Sequence, residues 1–303
     1  MVNTNDPHVW QTRMEEQNMK IKHPLLRLLV VIGFLIPVFV INKLFKLFVL
    51  SEFSGSTRVI VQYMEAALFF LLFILVYRAF ARWIEHRKAF ELSTSGSPRE
   101  LATGFGIGFC LVFIVVILLY ILGYYQFDSL NPNLRLLVDY FVKFTMGAFL
   151  EELIFRLIIF RLTEELIGTW WALLIQVVLF GLAHIGNDNA TIWTSAAVMI
   201  IGGLLETSAF IYTRRLWLAL GLHIGWNYFQ SGIFGMPNSG SVYDGVIRPV
   251  VTGPKWLTGG NFGIEASYVA IAICLAVGLY ILRKAHIKGK FVLPKWRAAE
   301  RTT

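Results

Sequence analysis

Charge is scarce in this sequence. Asp, Glu, Lys and Arg make up only 15% of its 303 residues, against about 25% in an ordinary soluble domain. That shortage excludes a disordered chain and argues against a water-soluble globule. Cysteine is scarcer still: Cys110 and Cys274 are the two present, and both sit inside long apolar runs. Neither a disulfide framework nor a zinc knuckle can be built from them. There is no internal repeat, no low-complexity segment and no inverted pair of broken helices of the kind that favours a transporter. The first 20 residues are polar and include acids, so no cleavable signal peptide is expected. What the chain has instead is apolar mass. Hydrophobic residues reach 56%, with 25 Phe and 9 Trp, and the mean hydropathy is +0.64. The net charge of +8 falls beside apolar runs rather than along a polar face, which points to membrane flanks and not to nucleic acid.

A spanning helix needs about 20 mostly apolar residues. Runs of this kind cover 25–41, 59–80, 101–124, 134–162, 170–185, 191–212, 216–234 and 266–282. The expectation is an all-α, polytopic membrane helix bundle of about eight transmembrane helices around a central polar cavity. Its organisation would be an N-terminal arm (1–24), a membrane-embedded domain (25–282) with a core at 134–234, and a basic tail (283–303). Lys and Arg cluster in the arm (Arg13, Lys20, Lys22), after the second run (Arg82, Arg87, Lys88) and after the sixth (Arg214, Arg215). They cluster again in the tail. Basic loops stay in the cytoplasm, so a multi-pass protein of the cell membrane with both termini cytoplasmic is expected.

Charged side chains at membrane depth cost a few kcal/mol each and mark functional sites by default. In FLEELIFRLIIF, Glu152 and Arg156 are four apart and share a helix face, where they can pair. Glu151 points about 100° away, free to face a cavity. In VVLFGLAHIGN, Phe180 and His184 are four apart; in LGLHIGWNYF, so are His223 and Asn227. Of six histidines, only His184 and His223 lie at membrane depth. Gly147, Gly181, Gly221 and Gly225 flank these positions and let helices approach closely. A carboxylate in a low-dielectric cavity gains base strength, and a neighbouring imidazole can share its water. A second imidazole and an amide offer N–H donors for an oxyanion. These are the parts for water attack on an amide carbonyl. Glu65 and Glu206 are further acids at depth that line the cavity or pair with a cation. Arg161, Glu164 and Glu165 read as a solvated helix end.

The ordered set EExxxR, FxxxH and HxxxN resembles the CPBP family of intramembrane proteases, which includes the type II CAAX prenyl endopeptidases and bacterial Abi-type proteins. The resemblance spans roughly 149–229, with bacterial-looking Gly-rich sequence (LTGGNFGIEAS) beyond it. It implies an endopeptidase in which Glu151 activates water with help from His184, while His223 and Asn227 hold the oxyanion. Glu152 and Arg156 would support them, with Phe180 as a cavity wall. The implied partners are the lipid bilayer and a peptide or membrane-anchored protein substrate. No cofactor is required by this reading. Glu151, His184 and His223 are also a ligand set for zinc, and spacing alone does not separate a metal-bound water from a carboxylate-activated one. HExxH, GxGD and a membrane-depth aspartate pair are absent, and Ser195 and Ser208 carry no nucleophile elbow. A non-catalytic scaffold or immunity protein and a proton-coupled transporter are the readings from other classes.

Overall fold

Apolar length sets the architecture. The structure, a computed structural model, describes residue 21 and residues 23–294. The greater part of the expected N-terminal arm and the end of the basic tail (295–303) lie outside the described residues. Within them, helix α1 (Pro24–Leu44) starts under a His23 side-chain cap with Pro24 in its first turn, where the missing N–H costs nothing. Then come α2 (Gly55–Trp83) and α3 (Ser97–Ile121). The short strand β1 (Tyr125–Leu130) leads to α4 (Leu136–Glu152), which continues through wide-wound turns over Leu153–Phe160 into α5 (Arg161–Ala183). Gly168, at φ 77° and ψ 170°, breaks α5, so the chain turns back there. A Thr191/Thr194 capping box opens α6 (Ile192–Thr213). It is followed by α7 (Leu216–Asn227) with wide turns over Tyr228–Ile233, strand β2 (Ile247–Val251), the short α8 (Lys255–Thr258) and α9 (Tyr268–Ile287).

Among the described residues, six helical runs are long and apolar enough to cross a membrane. The run Leu136–Ala183 counts once despite its break at Gly168, and α7, at 12 residues, falls short of such a span. Burial sorts the helices. In α2 only 22% of the apolar window is buried, against 72% in α6. The first therefore turns residues such as Met64, Leu68 and Leu71 outward, toward what must be lipid, and the second runs through the middle of the bundle.

Two glycine pairs bring α3 and α7 together. A Cβ on Gly104 or Gly108 would overlap the α7 backbone at Leu218 and Leu222, and one on Gly221 or Gly225 would overlap the α3 backbone at Leu101 and Phe105. Backbone thus meets backbone in a reciprocal small-xxx-small contact. Fixing one face of α7 in this way fixes the direction in which its opposite face points.

The two ends of the bundle differ. At one, Arg27 pairs with Glu85 (2.9 Å) and with Glu165, Arg161 with Glu85 (2.8 Å), and Arg87 with Glu91 (2.7 Å). Burial alone would raise the Glu91 carboxyl, yet Arg87, which donates to it, and Arg161 hold it at about 2. At the other end, β1 and β2 form an antiparallel ribbon. Beside it, the links 184–191 and 235–267 tie together through Asn187 Nδ2 to the Ser239 carbonyl (3.0 Å) and Asn189 Nδ2 to the Gly240 carbonyl (3.1 Å).

Candidate active site

A chamber of about 580 Å³ opens between α4, α5, α6, α7 and the 237–243 loop. Three wide-wound stretches border it: Phe155 comes from Leu153–Phe160, Ile201, Gly202 and Glu206 from Met199–Glu206 within α6, and Asn227 stands at the edge of Tyr228–Ile233. Such turns free backbone carbonyls and recur at functional sites. Here the freed Gly202 carbonyl accepts from Arg156.

The structure sets the two adjacent glutamates in contrasting surroundings. Glu152 is wholly buried, with Oε1 3.0 Å from Arg156 Nη1 and 3.0 Å from His223 Nδ1. The Glu151 side chain is 37% exposed, and its Oε2 lies 3.9 Å from Nε2 of both His184 and His223. The 100° step between neighbours on a helix produces this split. At 3.9 Å the groups are too far apart for a direct hydrogen bond and at a span that one water bridges.

Each imidazole is held from behind. His184 Nδ1 sits 2.8 Å from the Phe180 carbonyl, which can only accept, so the proton sits on Nδ1 and the Nε2 lone pair is left facing Glu151. On the other imidazole, His223 Nδ1 lies between Glu152 and Glu206 (3.0 and 3.3 Å), leaving its Nε2 toward the chamber. Phe180 carries more than its carbonyl: its ring stacks at 4.6 Å under the Arg156 guanidinium and at 4.8 Å from the His184 ring. It walls the chamber and links two of the motifs.

Arg156 is the hub of the buried layer. It reaches Glu152 and Glu206 (3.0 and 2.9 Å) and Thr207 Oγ1 (3.3 Å), and Thr207 in turn donates to Gln176 (2.7 Å). Glu206 therefore both pairs with a cation and lines the chamber. Glu152, Glu206 and His223 bring donor atoms within 4.8 Å of one another, a group that could in principle hold a metal ion. Arg156 already supplies a positive charge to both carboxylates. The chamber-facing set of Glu151, His184 and His223 also has the donor chemistry for zinc.

Asn227 presents its amide from the end of α7. Asn238 Nδ2 donates to its Oδ1 at 2.8 Å, which occupies the acceptor and leaves the Asn227 NH₂ group for the chamber. Asn238 stands in the 237–243 loop and has no helical spacing to announce it. Its loop is clasped by Glu265, which accepts from the Ser239 N–H and from Gln230 Nε2. Burial raises the Glu265 carboxyl to about 7 despite these donors. Glu265 lies inside the LTGGNFGIEAS segment, where only its contacts with Ser239 and with Gln230 on α7's continuation give it meaning.

Helices with lipid-facing sides around a carboxylate–imidazole chamber define a polytopic helical membrane protein with a hydrophilic interior site. Residues 133–229 match the family described as Rce1-like, Type II CAAX prenyl endopeptidase Rce1-like. A Bacillus subtilis (strain 168) protein named "Putative membrane peptidase YdiL" is 33% identical over 90 residues, covering 29% of this chain and 34% of that protein. The likeness thus spans about a third of that relative's length. No solved structure matches. The family match contains Glu151, Glu152, Arg156, Phe180, His184, His223 and Asn227, and both findings support kinship with the CPBP proteases.

Proposed function

We propose that this protein is an intramembrane endopeptidase of the CPBP type, a membrane hydrolase resembling the type II CAAX proteases, with its catalytic core at 134–234 inside the membrane-embedded domain 25–282. One observation carries the reading. A single half-exposed carboxylate oxygen, on Glu151, stands 3.9 Å from two imidazole nitrogens in a hydrophilic chamber. A water in that gap gives a proton to Glu151, with the His184 Nε2 lone pair orienting it. Its oxygen adds to the carbonyl carbon of a peptide bond. The oxyanion faces the Asn227 NH₂ group and His223 Nε2. As the tetrahedral species collapses the C–N bond breaks, and the proton held on Glu151 passes to the leaving amine.

Glu152, Arg156 and Phe180 act behind this set. Arg156 balances the buried carboxylates, and Glu152 with Glu206 fixes the orientation of the His223 ring. The reaction needs no cofactor. If zinc were bound, Glu151, His184 and His223 would hold it, and it would supply Lewis-acid activation of the same water. The substrate is a peptide or a membrane-anchored protein reached at or within the bilayer of the cell membrane, and both termini are cytoplasmic.

The test is cleavage of a quenched fluorogenic peptide library by purified protein in detergent. Glu151→Gln, nearly isosteric but unable to take the proton, should lower the rate by about 10²–10⁴-fold with an unchanged unfolding midpoint. His184→Ala should lower it as well. Activity should survive exhaustive chelation, and its loss on chelation with recovery on adding zinc would move the mechanism to the metal form. Full activity of Glu151→Gln would end the proposal.

A further inference from the structure

Basic charge and the mouth of the chamber lie at opposite ends of the bundle. Arg82 lies in the last turn of α2 with Arg87 and Lys88 just beyond it, Arg214 and Arg215 between α6 and α7, and Arg283, Lys284, Lys288 and Lys290 at the end of α9. Contacts show that they share one end. Arg214 donates to Glu164 and to the Lys290 carbonyl, Arg215 pairs with Glu100 at 2.9 Å, and Arg27 pairs with Glu85 at 2.9 Å. The opposite end bears Arg135, Lys143, Arg248 and Lys255 among Asp128, Asp139, Asp188 and Asp244, and its first link adds Lys43, Lys46 and Arg58. Lys and Arg are clearly fewer there.

The chamber opens toward this second end. The link 184–191 and the 237–243 loop contribute Asn187, Asp188, Asn238, Ser241 and Tyr243 to its lining, and no described residue of the basic end lines it. Exposed tryptophans mark both membrane levels: Trp83, Trp170 and Trp171 at the basic end, Trp193 and Trp256 at the mouth end. Interfacial aromatics of this kind bracket the hydrocarbon layer. Because Lys- and Arg-rich loops remain cytoplasmic, we infer that the chamber opens at the non-cytoplasmic face and takes a peptide segment presented from that side, not a cytoplasmic protein tail.

The rim suits such a segment. Lys143 lies 4.4 Å over the Tyr243 ring, and Asp188 is also part of the lining, so both charges and an aromatic surface meet an incoming chain. That the occupant is a peptide rests on the peptidase reading, whereas the sidedness does not.

The test uses the full chain in a bacterial plasma membrane, prepared as right-side-out and as inside-out vesicles. Val242, 77% exposed on the mouth loop, and Ser95, exposed on the basic-end link, are each replaced in the variants Val242→Cys and Ser95→Cys. The parent chain, whose two cysteines lie in α3 and α9, is the blank. A membrane-impermeant maleimide should label Val242→Cys only in right-side-out vesicles and Ser95→Cys only in inside-out ones. The reverse pattern, or labelling of either variant from both sides, overturns the sidedness. The fluorogenic library added outside should be cut by right-side-out vesicles and spared by inside-out ones. Cleavage by neither, with labelling as expected, would defeat the peptidase reading and leave the sidedness standing.

Discussion

Glu151 and Glu152 are neighbours in the chain and opposites in setting, and the contrast was readable beforehand. Four-residue spacing gave Glu152 a guanidinium and left Glu151 without one, and the structure has Glu152 against Arg156 at 3.0 Å with Glu151 facing the chamber. What spacing could not supply was the other half of each environment. Glu206, Asn238 and Glu265 come from separate elements, and only the packing of α6 and the loops beyond α7 against α4 brings them in. Arg161, Glu164 and Glu165, read as a solvated helix end, instead pair with partners from distant segments, and Glu164 is buried against Arg214. The same logic gives the glutamates separable phenotypes. Glu152→Gln removes one of two carboxylates from a wholly buried Arg156 and an anion from His223 Nδ1. Breaking a buried ion pair costs about 3–5 kcal/mol, with Glu206 retaining part of the balance. Thermal unfolding in detergent should therefore show a clear loss of midpoint for Glu152→Gln and none for Glu151→Gln. Equal, mild effects of the two substitutions would contradict this division of labour.

At the scale of elements, the glycines of α7 were visible as small residues beside His223, but their partners on α3 were not. Gly104 and Gly108 belong to a run with no charged residue to draw notice, and only contact reveals that they face Gly221 and Gly225. The same helix carries its own control. A Cβ on Gly104 would meet the Leu218 carbonyl and the Leu222 N–H, backbone atoms that cannot rotate away, whereas one on Gly106 meets nothing within 4 Å. Gly104→Ala should thus lose about 1–3 kcal/mol from overpacking and displace α7, so that cleavage falls together with the unfolding midpoint. Gly106→Ala should be neutral, or gain up to about 1 kcal/mol from helix propensity. Both variants are read by thermal unfolding and by the cleavage rate of the purified protein, and a neutral Gly104→Ala would remove the close contact from any part in setting His223. Wide winding is the other feature hidden from spacing. The Glu152–Arg156 pair survives at the start of Leu153–Phe160, but nothing in LIFRLIIF distinguishes it from an ordinary helix.

The whole molecule was legible as a membrane bundle because composition and run length act over hundreds of residues. The chamber's far wall was not, since it is built from loops held by single contacts rather than by periodicity. Glu265 is the chief of these, clasping the 237–241 loop whose Asn238 fixes the Asn227 amide. Its carboxyl is raised by burial from 4.5 to about 7, so the folded state binds its proton more tightly than the unfolded chain does. A raised acid contributes stability that is complete below pH 4.5 and is lost as pH climbs through about 7. The full shift corresponds to about 3 kcal/mol. Unfolding midpoints measured in detergent should accordingly decline between about pH 4.5 and pH 7, the window these two values bound. Glu265→Gln keeps the shape and an acceptor for the Ser239 N–H while removing the titration, so its decline across that window should be shallower. A variant with the parent's slope would assign the pH dependence to other groups and leave Glu265 as a hydrogen-bond acceptor alone.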